Sequence, residues 1–224
     1  MSALRQPGQA MRIAILAFDG CNEIDTFVPL GLLNQLAALG WKAELACPAS
    51  HVTSMNGVTL QAQQPLEFAN EADAVILGGG LYARAIAENA MLMGRLQLDP
   101  LRQLIGAQGS GTLLLARLGL LGDAPACTDP ATKPWVVEAG VRVIDEPFHC
   151  RGPIATAGGC MASQYLATWL MLKGTDHTTT AHALAQSAPA GENDAYAEWL
   201  LRRVTRAMES ESELPDERSS RLRH

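Results

Sequence analysis

The sequence predicts an α/β domain whose mostly parallel sheet is covered by helices on both faces. Three observations carry this. Short apolar runs alternate with segments whose apolar residues recur at helical spacing. Three of the predicted strand ends run into glycine-rich stretches, at 78–80, 109–111 and 158–159. The 224 residues are 48% hydrophobic and 18% charged, enough to bury one sizeable core.

Taken in order, residues 1–10 read as a loose arm. Arg12 to Phe18 is an apolar run that breaks at Asp19-Gly20, a buried strand. Ile24, Phe27, Val28, Leu32, Leu36 and Leu39 then fall at helical spacing, with Gly40 closing the helix. Pro29 lies within it, so the helix is expected to start only near that residue. Lys42 to Cys47 is a second strand, and Asn56-Gly57 suits the type I′ turn of a short hairpin. Ala74 to Leu77 is a third buried strand, followed by helical stretches at 81–88 and 90–98. Leu104 to Ala107 is another strand, with a helix from Thr112 to Leu121. Val141 to Asp145 is strand-like, and Ile154 to Ala157 leads through Gly158-Gly159 to a helix from about Met161 to Leu172. Further helices are expected near 177–187 and 192–209. The single domain spans 11–208, and the polar stretch 209–224 is expected to fray.

Composition excludes several function classes. A net charge of −6, with no clustered basic face, argues against a nucleic-acid surface. No run of about 18 apolar residues offers a membrane span. The N-terminus has no apolar signal region, so the cytoplasm is the expected location. Five cysteines without a CxxC pair argue against a disulfide framework and a thiolate zinc site. The histidines are scattered, and no metal site is expected.

Ligands of parallel sheets bind outside the carboxyl ends of the strands, so the three glycine-rich exits are candidate walls of one pocket. Asn22-Glu23-Ile24-Asp25 places acids at the mouth of the sheet, although a helix start also favours acids there. Gly78-x-Gly80-x-x-Ala83 loosely fits a dinucleotide fingerprint, but it follows the third strand rather than the first. A tight turn needing positive φ is the plainer reading, and no cofactor is expected. Gln108-Gly109-Ser110-Gly111 has the strand-to-helix setting of a nucleophile elbow. Ser110 is then either a hydrolase nucleophile or a capping serine. Cys160 sits at a predicted helix start, where the dipole lowers a thiol pKa, or it is an inert small residue.

Together these segments resemble the DJ-one/ThiJ/PfpI family, from about Arg12 to Gly174. The order is specific: strand, acid-x-x-x-Pro, strand-Gly-Gly, elbow, Thr-x-Pro, then Thr-x-Gly-Gly opening a helix. That family includes isocyanide hydratases, glyoxalase/deglycase-type enzymes, stress-protection proteins and sensor domains of regulators. The resemblance implies a flavodoxin-like three-layer sandwich and a homodimer. It implies that Asp25 is the pocket acid, that Gly79 belongs to the oxyanion hole, and that Asp129 stands where many relatives have histidine. Cys160 falls in the loop facing the nucleophile. Gly109 falls on the nucleophilic cysteine itself, so it can neither attack nor be oxidised. The expectation is therefore a pseudoenzyme binding a small polar or carbonyl-bearing ligand with Asp25, Gly79, Gly80, Gly109, Ser110, Asp129, Gly159 and Cys160. One alternative is a hydratase/lyase-type enzyme with Cys160 or Ser110 as relocated nucleophile and Asp25 as acid; another is a sensor or partner-binding module.

Overall fold

The computed structural model describes residues 8–212. The elements in chain order begin β1 (Arg12–Leu16), α1 (Glu23–Leu33) with a 3₁₀ continuation at Asn34–Leu39, β2 (Lys42–Cys47), β3 (His51–Thr53) and β4 (Thr59–Gln61). They continue with β5 (Gln64–Pro65), β6 (Ala74–Leu77), α2 (Ala83–Glu88), α3 (Ala90–Met93), β7 (Leu104–Gln108), α4 (Gly111–Arg117) and α5 (Lys133–Glu138). Last come β8 (Phe148–Arg151), β9 (Ile154–Ala157), α6 (Ser163–Gly174), α7 (His177–Gln186) and α8 (Asn193–Ser212).

Seven strands form one sheet in the order β5-β2-β1-β6-β7-β9-β8, parallel except for β8 against β9. This is the flavodoxin-like α/β fold that the resemblance implies. The central strands are apolar throughout because both of their faces are covered. Ile13, Ile15, Ala74 and Ile76 point into one core with Trp41, Leu166, Trp169 and Leu170. Ala14, Leu16, Val75 and Leu77 point into the other with Ile105, Leu113 and Leu114. The alternation follows the period of two along a strand. Each Ile, Leu or Val among them taken fully from water contributes about 1.5–3 kcal/mol, which makes the strand ends a firm base for a site.

The structure departs from the sequence reading in several places. The helix expected to start near Pro29 starts at Glu23, because Asn22 caps it by accepting from the Ile24 and Asp25 amides. Pro29 is accommodated inside it and has no N–H to donate to the Asp25 carbonyl. The hairpin of β3 and β4 exists, but its turn is not type I′: Gly57 alone has positive φ (83°), and its N–H closes a turn on the Ser54 carbonyl at 3.1 Å. Val141 to Asp145 makes a single bridge, Val143 to Ala126, because its neighbour is a loop residue preceded by Pro125. The strand of that region is β8, which the sequence did not reveal. The helices after β6 and β7 are shorter than their patterns suggested, ending at Met93 and Arg117.

Helix α8 runs through 209 to Ser212, and the arm and tail expectations for 1–7 and 213–224 lie outside the described residues. Among the described residues, no helix is long and apolar enough to cross a membrane.

Candidate functional site

The carboxyl ends of β6, β7 and β9 lie side by side, and their glycine exits converge as parallel pairing requires. The elbow is anchored first. Gly109 follows β7 with φ +51°, its N–H donates to the Ala157 carbonyl at 2.8 Å, and its own carbonyl accepts from the Thr128 hydroxyl at 2.8 Å. A side-chain-bearing residue would be strained in that left-handed conformation. A Cβ there would nevertheless meet no clash. Within 4 Å of where a Cβ would sit there are two contacts, Asp25 Oδ2 at 3.4 Å and Asp129 Oδ2 at 3.7 Å.

Gly78, Gly79 and Gly80 tell the opposite story. None has positive φ, so the tight-turn explanation for them is wrong. They are required by close approach: a Cβ would lie 2.8 Å from the Leu16 carbonyl at Gly78, 2.6 Å from Asp25 Oδ2 at Gly79 and 2.5 Å from the Gly20 carbonyl at Gly80.

Asp25 sits in the first turn of α1, 3% exposed, and its Oδ1 is buried without a hydrogen-bond partner. Burial pushes its carboxyl up to about 6; the negative charge of Asp129 adds to this, while the Cys160 thiol and the Gly79 N–H bond the carboxylate and pull the other way. Its companion Glu23 turns away to the hairpin, accepting from the Ser54 hydroxyl and from Asn56 Nδ2 at 2.8 Å. Asp129 Oδ1 accepts from the Thr132 amide at 2.9 Å, which fixes the carboxylate that faces Gly109.

Cys160 belongs to this cluster. It is half-buried, it lies within hydrogen-bonding reach of Asp25, and its Sγ accepts from Asn22 Nδ2 at 3.1 Å. Of the two readings of Cys160, the thiol with a dipole-lowered pKa is not supported. Burial first, and Asp25 second, push the thiol up, and a 3₁₀ turn at Cys160–Ala162 separates it from α6. Burial likewise pushes Cys47 up to about 11 and Cys127 up to about 12. Ser110 is not a capping serine, since its hydroxyl makes no cap bond. It donates to the Gly80 carbonyl at 3.1 Å and accepts from the Gly80 N–H at 2.8 Å, which leaves it poorly placed to attack anything.

Of the residues singled out from the sequence, the fold brings Asp25, Gly79, Gly109, Asp129 and Cys160 around one point, whereas Gly80 and Ser110 brace each other behind it. Gly159, at φ +84°, offers its carbonyl to Gln108 Nε2 at 2.6 Å and so pins the Cys160 loop to the elbow. Two contributors were missed. Asn22 was readable as a helix cap, but its second hydrogen bond to Cys160 was not. Gln108 was readable only as a departure from a hydrolase motif.

Among the described residues, no three His, Cys, Asp or Glu side chains are grouped to hold a metal ion. A groove of about 580 Å³ between α7 and α8, lined by His177, His182 and Leu201 among others, shares no residue with this site.

The profile of the DJ-1/PfpI family matches residues 11–159, and the chain belongs to that family. No curated protein sequence matches significantly. Among solved structures, a ThiJ/PfpI family protein from Pseudomonas syringae is 19% identical with a TM-score of 0.71, covering 88% of this chain and 89% of its own. Drosophila melanogaster DJ-1beta is 18% identical with a TM-score of 0.69, covering 80% and 98%. Schizosaccharomyces pombe DJ-1 is 18% identical with a TM-score of 0.58, covering 84% and 98%. These likenesses show a shared fold.

Proposed function

We propose that this DJ-1/PfpI family member has lost the family's cysteine-based catalysis and binds a small polar or carbonyl-bearing ligand at the old elbow, where Gly109 replaces the nucleophilic cysteine. One observation carries the reading: position 109 carries no side chain, and the atoms that a Cβ there would meet are the carboxyl oxygens of Asp25 and Asp129. A carboxyl that keeps its proton to about pH 6 can donate to a ligand in mild acid and accept from one at neutral pH. The same reading takes the protein as a cytoplasmic homodimer, which sedimentation and fractionation check.

The test is turnover of an isocyanide and of an α-oxoaldehyde by the wild-type chain and by Cys160→Ser. Both proteins are expected to match the uncatalysed rate. Wild-type turnover that Cys160→Ser abolishes would replace this reading with a relocated-nucleophile enzyme. That second reading is favoured by the contact of the Cys160 thiol with Asp25, which places a sulfur and an acid together. In it, sulfur attacks the electrophilic carbon and Asp25 delivers the proton.

A further inference from the structure

We infer that the groove between α7 and α8 is where a second copy of this chain docks, with the two α8 helices antiparallel across a two-fold axis. The inference rests on the homodimer of the reading above and names the surface that makes it. The ligand proposed at Gly109 does not enter.

The groove is made by small residues. The short connection at 187–192 turns the chain back, so α7 and α8 pack side by side and antiparallel. Ala181 and Ala185 of α7, with Ala197 and Leu201 of α8, line the space of about 580 Å³ between them. Alanine at three of these positions leaves a channel between the helices, and a ridge of side chains from another helix packs into such a channel.

One wall of the groove carries a row of charge that changes sign at its middle. Asp194, Glu198 and Arg202 line the groove, and Arg206 continues the row by one more turn. Positions four apart are neighbours on one side of a helix. Glu198 and Arg202 are 75% and 65% exposed. The helix dipole does not account for this order. It acts on the end turns, whereas Glu198 and Arg202 lie in middle turns and the last turn of α8 holds no base. The pair within the helix does not use the charges up either. Arg202 Nη1 donates to Glu198 Oε1 at 3.4 Å, a weak exposed contact, and the guanidinium has further N–H donors.

Such a row is complementary to itself reversed. A two-fold axis passing between Glu198 and Arg202 sets Glu198 of one copy against Arg202 of the other, twice, with Asp194 against Arg206 on either side. The ridge of one α8 then enters the groove of the other, and the relation is reciprocal, as a two-fold interface requires. A parallel arrangement would set like charge on like. A partner of one charge sign would match only half of the row. The floor is already well covered, with Ala197 4% and Leu201 3% exposed, so charge rather than apolar burial governs the contact and makes it sensitive to salt.

The experiment is sedimentation of the full chain over a concentration series, at low and at high salt. The wild type is expected to be a dimer that salt weakens. Glu198→Arg and Arg202→Glu are each expected to weaken it about a hundredfold, because the two-fold axis puts each change into two contacts. A one-to-one mixture of the two variants is expected to dimerise again, since the altered rows then meet with opposite charges at both central contacts. Circular dichroism checks that each variant is folded, and either one alone carries the first comparison.

A dimer unchanged in both variants would overturn this surface and leave the homodimer standing on another. Loss of the dimer in each variant without recovery in the mixture would overturn the pairing of Glu198 with Arg202, and the inference with it. A wild type that stays monomeric throughout would overturn both the surface and the homodimer, and would leave the ligand reading at Gly109 untouched.

Discussion

Two neighbouring strands of the same sheet end in glycine for opposite reasons. After β6, Gly78, Gly79 and Gly80 have ordinary negative φ, but backbone or carboxyl atoms lie where a Cβ would go. After β7, a Cβ on Gly109 would meet nothing closer than 3.4 Å, but the backbone is one that only glycine adopts without strain. The first exit is closed by neighbours and is structural. The second is uncrowded, strained for any other residue, and faced by two carboxylates. Crowding marks a joint of the scaffold, while the uncrowded exit faced by two carboxylates is where the proposed ligand would sit.

The sharpest way to break that comparison is to add one methyl group at each exit. Gly80→Ala drives a Cβ to 2.5 Å from the Gly20 carbonyl and 2.8 Å from Cys21 Cα, backbone atoms that cannot step aside. A loss of roughly 3 kcal/mol in urea unfolding is expected. A loss under about 1 kcal/mol would mean that the exit yields and is not a rigid joint.

The next effect concerns the acid between the two exits. Folded Asp25 holds its proton to about pH 6, above its ordinary value of 3.8, so the folded state binds more protons than the unfolded one between these limits. Stability is therefore full below pH 3.8 as far as this group is concerned, and it falls as pH rises towards 6. The span corresponds to roughly 2–3 kcal/mol. Asp25→Asn removes that slope, read from unfolding free energies at pH 4.5 and pH 7. A slope unchanged in the variant would assign it to other groups.

Gly109→Ala should cost less, about 1–2 kcal/mol, because the penalty is backbone strain without collision. If it equals Gly80→Ala in the same unfolding assay, the contrast between the exits fails. The smallest effect leaves stability alone. With its pKa raised, Cys160 should react with a disulfide reagent at pH 7 more slowly than a free peptide thiol, and Asp25→Asn should speed it. Fast, selective labelling of the wild type at Cys160 would place an activated sulfur beside the uncrowded exit.

Legibility in the sequence follows the same division. Strands β1, β2, β6, β7 and β9 were readable because burial on both faces writes short apolar runs bounded by Gly or Pro. Strand β8 was not: its Phe148-His149-Cys150-Arg151 alternates buried and less buried positions beneath a stronger nearby apolar pattern at Val141 to Asp145. Asp25 was singled out through the resemblance, since Glu23, two residues earlier, has the same chemistry and the fold alone turns it to the hairpin. The acidity of Cys160 was left open in the sequence, because after burial the group that matters most is Asp25, from a distant part of the chain.

The sequence by itself determined the α/β class, the strand ends where a site can form, and the lack of a side chain at 109. Those are local properties, set by hydrophobic period and residue identity. Only the tertiary structure decided which glycines are crowded and which is not, which acid is buried, and which polar atoms are left without partners. Those depend on atoms brought together from α1, the β7 elbow, the loop at Asp129 and the Cys160 turn, and no spacing along one segment encodes a distance across four.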